Sequence, residues 1–201
     1  MGGDPRMRLP NAAHTAQPWR IHDVASDFTV EDVWELPTPG GPDGLEKLVR
    51  QMTSGDGARP ANPAVRALFE IRWKLGAVLG WDKPEAGIGK RVPSLRDRLP
   101  EDLLEGPRGA DFRAAPFKGV YQTHDEYVAE MANQTVHVLM HVGWVKDKTG
   151  DGYHGQMAAL VKPNGQFGKV YMAGIKPIRY AIVYPKLMRT IERRWQDQAA
   201  G

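Results

Sequence analysis

Cysteine is absent from the 201 residues, which excludes disulfides, thiolate metal sites and cysteine nucleophiles. A disulfide-free chain fits a reducing compartment, so a cytoplasmic protein is expected. Long apolar runs are missing too. None approaches the roughly 18 residues that a membrane span needs. Met1 to Trp19 carries Arg6 and Arg8 but lacks the apolar core of a signal peptide. Charge of one sign is scarce: 27 basic against 24 acidic side chains leave +3, too little to imply nucleic-acid binding. There is no phosphate-cradling glycine loop, no GxSxG and no paired metal-carboxylate motif. The expected partner list therefore holds no nucleic acid and no membrane, and no cofactor or metal is expected.

What remains is the composition of a globular domain, with 41% hydrophobic and 25% charged residues, enough to bury a core without staples. The length favours one domain, residues 19–201, behind a flexible N-terminal arm, residues 1–18, that holds Gly2, Gly3, Pro5, Pro10 and Pro18. Phe28 to Leu36 reads as a first strand, ended by Pro37-Thr38-Pro39-Gly40-Gly41-Pro42. Asp43 can cap a short helix through about Met52. Asn62 and Pro63 open a second helix, with Leu68, Ile71, Leu75 and Val78 on one stripe and Gly80 at its end. Residues 82–116 read as irregular, with a helical turn near Glu101–Leu104; such a segment can wall a site or simply connect elements.

From Phe117 the period changes to two. Phe117–Thr123, Glu126–Asn133, Val136–Lys146, Tyr153–Lys162 and Lys169–Ala173 read as an antiparallel meander with hairpin loops at Lys148–Gly152 and Pro163–Gly165. A long amphipathic helix, about Pro177–Gln198, closes the chain, with Pro185 inside it. The expected class is α+β: a curved antiparallel sheet packed on a long C-terminal helix, the helix-grip architecture, which often leaves a cavity between the two.

Several segments carry a resemblance. They include Arg8-Leu9-Pro10-Asn11, Asp32-Val33-Trp34-Glu35-Leu36-Pro37 and Ala67-Leu68-Phe69-Glu70-Ile71-Arg72-Trp73. Others are Asn133-Gln134-Thr135-Val136-His137, His141-Val142-Gly143-Trp144-Val145 and Lys176-Pro177-Ile178-Arg179. Over roughly residues 8–195 the chain resembles the bacterial domain-of-unknown-function family 2867, grouped with the START-like (SRPBCC, polyketide-cyclase-like) superfamily. The resemblance implies a START-like fold and a ligand cavity, and it carries no reaction. One departure is that Ile178 and Tyr180 stand where the pattern implies an aromatic residue and a histidine.

His137 and His141 are the most conspicuous candidate pair. On a helix they would share a face as zinc ligands do. Val136–Val142 alternates and is β-branched, so it reads as a strand, where four residues span about 13 Å. With bonds of about 2 Å, one zinc cannot reach both. Strand parity puts Val136, Val138, Met140, Val142 and Trp144 on an apolar, cavity-facing side, and His137, Leu139 and His141 on the other. The same parity groups Tyr127, Ala129, Met131 and Asn133, with Glu130 opposite. It also groups Tyr153, Met157, Ala159 and Val161, and Phe117, Gly119 and Tyr121.

Tyr121, Tyr127, Asn133, Met140, Trp144, Tyr153, Met157 and Met188 are thus candidate ligand-binding residues, unless the tyrosines are core residues satisfied by backbone. His137, His141 and Tyr184 are candidate catalytic groups: histidine as a general base, tyrosine as a donor to a developing enolate. The histidines serve only if the sheet curls toward their face or both faces are covered. The expected ligand is a small, largely apolar molecule, aromatic or polyketide-like, and the expected activity that of a cyclase or aromatase. The alternatives are a non-catalytic binding module, or an adaptor using the basic stripe Arg179, Lys186, Arg189 and Arg193, which can also be a solvated helix face. A monomer or a homodimer is compatible with all of these.

Overall fold

A computed structural model describes residues 7–55, 88–89, 92–133, 136–163 and 184–199. The expected helix at Asn62–Gly80, the expected strand Lys169–Ala173, and Ile178, Arg179 and Tyr180 lie outside the described residues. In chain order the elements begin with β1 (Arg8–Leu9), α1 (Ala12–Thr15), α2 (Ile21–Val24), β2 (Thr29–Glu35) and α3 (Leu45–Thr53). A 3-10 turn (Leu95–Arg98) and α4 (Glu101–Glu105) follow, then β3 (Lys118–Gln122), β4 (Glu126–Ala132), β5 (Val136–Lys146), β6 (Tyr153–Pro163) and α5 (Tyr184–Ala199). The six strands form one open, curved, antiparallel sheet in the order β1-β2-β6-β5-β4-β3. The α+β class and the meander follow the alternation in the sequence. Among the described residues, no helix is long and apolar enough to cross a membrane.

The sheet is covered on both faces. On one, Trp19 from the link between α1 and α2, Ile21 and Val24 from α2, and Leu95, Leu99 and Leu103 from the irregular segment meet Val128, Leu139 and Leu160. On the other, α3 and α5 bring Leu45, Leu48, Met188, Ile191 and Trp195 against Val142, Trp144 and Met157. In α3 the apolar residues Leu45, Leu48, Val49 and Met52 fall at helical spacing. Its N-cap is Gly44, where Asp43 was expected. The reason is steric: a Cβ at Gly44 would collide with the Trp144 ring. That ring is anchored by Nε1 donating to the Gly41 carbonyl at 2.9 Å.

Two expectations are corrected. From Met7 on, the stretch expected as an arm belongs to the fold: Arg8 pairs with Trp34 and Leu9 with Val33, and His14 is fully buried. The segment's polar composition misled because Leu9 and its one histidine, His14, are turned inward. Tyr121 also lies on the opposite face from the one expected. A β-bulge between Gly119 and Tyr121 adds a residue to β3 and reverses the parity beyond it. Gly119 therefore faces the α5 side, opposite Ala129, while Tyr121 packs with Trp19 and Val128.

Gly143 shows how closely the N-terminal segment is seated, since a Cβ there would overlap the indole of Trp19. Gly143→Ala should displace that ring and cost about 1–3 kcal/mol, the usual range for overpacking. Gly41→Ala, where a Cβ meets nothing within 4 Å, should stay within about 0.5 kcal/mol. Urea midpoints of the two variants measure the difference.

Candidate functional site

The face of the sheet expected to be polar carries two imidazole–carboxylate pairs. On β5, His137, Leu139 and His141 point one way. On β4, Glu126, Val128 and Glu130 point the same way, because Glu130 lies opposite Leu139 and Val128 opposite His141. Each histidine thus reaches the glutamate diagonally across from it, the spacing that long side chains bridge in antiparallel pairs. His141 Nε2 lies 3.0 Å from Glu126 Oε2, and His137 Nε2 lies 2.9 Å from Glu130 Oε2. All four side chains are buried. Buried charge must be paired or hydrogen-bonded, and the surrounding loops supply the rest.

The His141–Glu126 pair is sealed. Glu126 also accepts from the backbone N–H of Arg20 at 2.9 Å and of Ile21 at 3.4 Å. With two backbone donors on it, Glu126 is the acceptor for Nε2–H of His141. That leaves His141 Nδ1 as the acceptor for His14 Nε2, 3.2 Å away. His14 Nδ1 is then a sealed acceptor without a partner. Burial, together with neighbouring His141 and His22, pulls His14 down to about 3. Burial also outweighs Glu126 and lowers His141. Tyr121 lies close by; its hydroxyl makes no hydrogen bond of ordinary geometry, and burial and Glu126 push its ionisation upward. This cluster fastens the N-terminal segment to the sheet.

The His137–Glu130 pair opens outward. Glu130 accepts from Ser94 Oγ and from the Leu95 backbone N–H at 2.9 Å. Burial pushes Glu130 up, but the hydrogen bonds from His137, Leu95 and Ser94 outweigh it and hold the carboxyl below its ordinary value. An ionised Glu130 only accepts, so Nε2 of His137 carries a proton, and in the neutral imidazole Nδ1 then holds the lone pair. Nδ1 has no hydrogen-bond partner among the described residues and is not among the sealed polar atoms. His137 lines a pocket of about 280 Å³ whose other walls are Phe28, Val92, Pro93 and Leu95, with Asp27, Arg98 and Lys162 around it. The Phe28 ring sits edge-on to the imidazole at 5.0 Å. Serine, histidine and glutamate are all present, but the carboxylate stands between the other two. Ser94 therefore orients Glu130 and is not an activated nucleophile.

The candidates named from the sequence divide between the faces. His137 and His141 share a face but serve separate pairs. Tyr184 lies on the other face, where its hydroxyl donates to buried Asp32 at 2.7 Å. The three candidate catalytic groups are thus not brought together. Tyr127, Met140, Trp144, Met157 and Met188 gather under α3 and α5 with half-buried Tyr153. Tyr127 donates to the Ala110 carbonyl at 2.6 Å. Asn133 Oδ1 accepts from Val136 N at 3.0 Å in the β4–β5 turn. A smaller cleft of about 130 Å³ lies beside α5, lined by Met52, Phe112, Met140, Leu187 and Ile191 among others. On α5, Arg189 and Arg193 are exposed and Lys186 is half-buried. Among the described residues no group of three or more histidine or acidic side chains could hold a metal.

Sequence reasoning passed over Ser94, Asp27, Arg98 and Lys162. Ser94 had a local signal, since Asp97 follows three residues on and the two form a reciprocal capping box. For Glu130, parity gives the polar side of its strand and no partner.

A family model described as "Protein of unknown function (DUF2867)" matches residues 24–186. The chain belongs to that family. No curated protein and no solved structure matches it.

Proposed function

We propose that this family member binds a small organic molecule in the pocket over His137, and that His137 exchanges a proton with it. One observation carries this reading: a buried, hydrogen-bonded carboxylate fixes one nitrogen of an imidazole that lines a cavity. That is the arrangement of an oriented general base. A START-like ligand-binding fold of cyclase or aromatase type is compatible with it, since enolisation needs such a base. A pocket of 280 Å³ falls just below the range of about 300–1,000 Å³ typical for drug-sized ligands, so a small metabolite is the natural guest.

A second reading follows the cleft beside α5, where Met52, Met140 and Leu187 would take a purely apolar ligand against the C-terminal helix, as in a helix-grip protein. Two sets of NMR signals separate the readings during titration with a metabolite library. Movement of the His137 ring nitrogens supports the first. Movement of the Met52 and Met140 methyls alone supports the second. If neither set moves, the basic face of α5 becomes the place to seek a protein partner.

For the first reading, His137→Gln should lower turnover of a ligand so found by about 100- to 10,000-fold, the usual worth of a general base, while its affinity changes by less than about tenfold. Equal losses in both would mean that His137 only shapes the pocket.

A further inference from the structure

The pocket has a charged rim that the proton-transfer reading leaves unexplained. Asp27 lies between two cations. Its Oδ1 accepts from Arg98 Nη2 at 2.6 Å and its Oδ2 from Lys162 Nζ at 2.8 Å. The hydrogen bond from Arg98, helped by Lys162, holds Asp27 well below the usual carboxylate range. All three side chains are between about a third and a half exposed, so none is locked in place by packing. Two positive charges share one negative charge at the mouth. Guanidinium and ammonium groups also have spare donors once a single carboxylate is bound. Behind the rim the walls are apolar: Phe28, Val92, Pro93 and Leu95. Two further carboxylates lie nearby: Asp97 accepts from the Ser94 backbone N–H at 3.0 Å in its capping box, and Glu130 lies beside the imidazole with three donors on it.

We infer that the ligand of this pocket is a small monocarboxylate whose acid group joins or displaces Asp27 on Arg98 and Lys162, with its carbon skeleton against Phe28 and Leu95. Asp27 demonstrates the geometry, because one planar carboxylate already bridges both cations. Planar, two-oxygen recognition is what an arginine fork favours. A molecule held this way lies beside His137, which lines the same pocket. The inference rests on the proposed pocket and adds the chemical class of its ligand. It also gives Asp27 a role, that of an internal competitor that keeps the cations occupied when the site is empty.

The test uses the full chain with three probes, benzoate, benzamide and inorganic phosphate, read by calorimetry and by the His137 ring signals. Benzoate should bind and move those signals, and benzamide should bind at least about tenfold more weakly, the worth of one charge-assisted contact. Asp27→Asn frees both cations while keeping the side chain's shape, and it should tighten benzoate about tenfold. Arg98→Gln with Lys162→Gln should abolish the preference for benzoate over benzamide. Benzamide binding as well as benzoate, with the same His137 shifts, would overturn the carboxylate class and leave the pocket standing. Phosphate binding more tightly than benzoate would likewise overturn it, in favour of a phosphate-bearing ligand. If no probe moves the His137 signals of either the wild type or Asp27→Asn, the pocket and the inference fall together.

Discussion

Glu126→Leu should destabilise the protein by about 3–5 kcal/mol, because it leaves three buried donors without their acceptor. Total stability is typically about 5–15 kcal/mol, so the variant should be close to unfolding. Glu126 is 1% exposed and accepts from three donors: His141 Nε2 and the backbone N–H groups of Arg20 and Ile21. Leucine fills much of the volume but accepts nothing, and each buried donor left without a partner costs about 1–3 kcal/mol. The two backbone donors cannot be removed by mutation, so they isolate the effect. Glu126→Leu combined with His141→Leu removes one orphaned donor and should cost less than the two single changes added together. Urea unfolding of the three variants measures this. A loss below about 1 kcal/mol in Glu126→Leu would mean that the N-terminal segment contributes little, and that the carboxylate is replaceable as surface carboxylates are.

The meander was legible because alternation carries its own register. The limits Val136–Lys146 expected for β5 agree with those observed, and those of β4 and β6 differ by one residue. Parity also separated the two faces of β5 correctly. It failed at Tyr121, since nothing in Gly119-Val120-Tyr121 announces a bulge. The meaning of the faces was harder to see. An alternating strand is usually half-solvated, so parity alone sets Glu130, His137 and His141 on the polar side without saying what covers it.

Glu126, Glu130, His137 and His141 are buried because residues from other parts of the chain, His14, Trp19, Ser94 and Leu95, fold over them. Such coverage is a long-range fact: His14 and His141 lie 127 residues apart. Regular patterning cannot encode it. What the sequence did contain was the coincidence of two histidines and two glutamates at matching four-residue intervals on adjacent strands. Read jointly through the expected register, that coincidence predicts both pairs. The irregular segment offered no comparable periodicity, so Arg98 and the pocket wall were not foreseeable from it.

Acid should unfold the protein in two stages, beginning well above the carboxylate range. His14 is buried and neutral: burial, with His141 and His22 beside it, lowers it from 6.5 to about 3. In the unfolded chain it takes up a proton near 6.5. Between those values the unfolded state holds more protons than the native state, so stability falls as the pH drops from about 6.5 toward 3. His141 is shifted in the same direction and adds a second proton over the start of that window. Its surroundings, Glu126, Asp125 and His22, do not reverse the sign. Each such proton contributes a slope of about 1.4 kcal/mol per pH unit, so the first stage should approach about twice that. Above about 6.5 neither histidine titrates in either state, and this contribution is flat.

The second stage begins near the ordinary carboxylate value. Glu130 and Asp27 are both held lower in the folded protein, so the stability they supply is present above that value and is lost as the pH falls through their folded pKa values. Urea midpoints at pH 8, 7, 6 and 5 test the first stage separately. They should be level between 8 and 7 and fall steeply from 6 to 5. His14→Phe removes one of the two titrating groups and should roughly halve the slope, although it lowers stability at neutral pH by leaving His141 Nδ1 without its donor. Level midpoints from pH 7 to 5 in the wild type would mean that the histidine pair is open to water, and that the N-terminal segment does not close over the sheet.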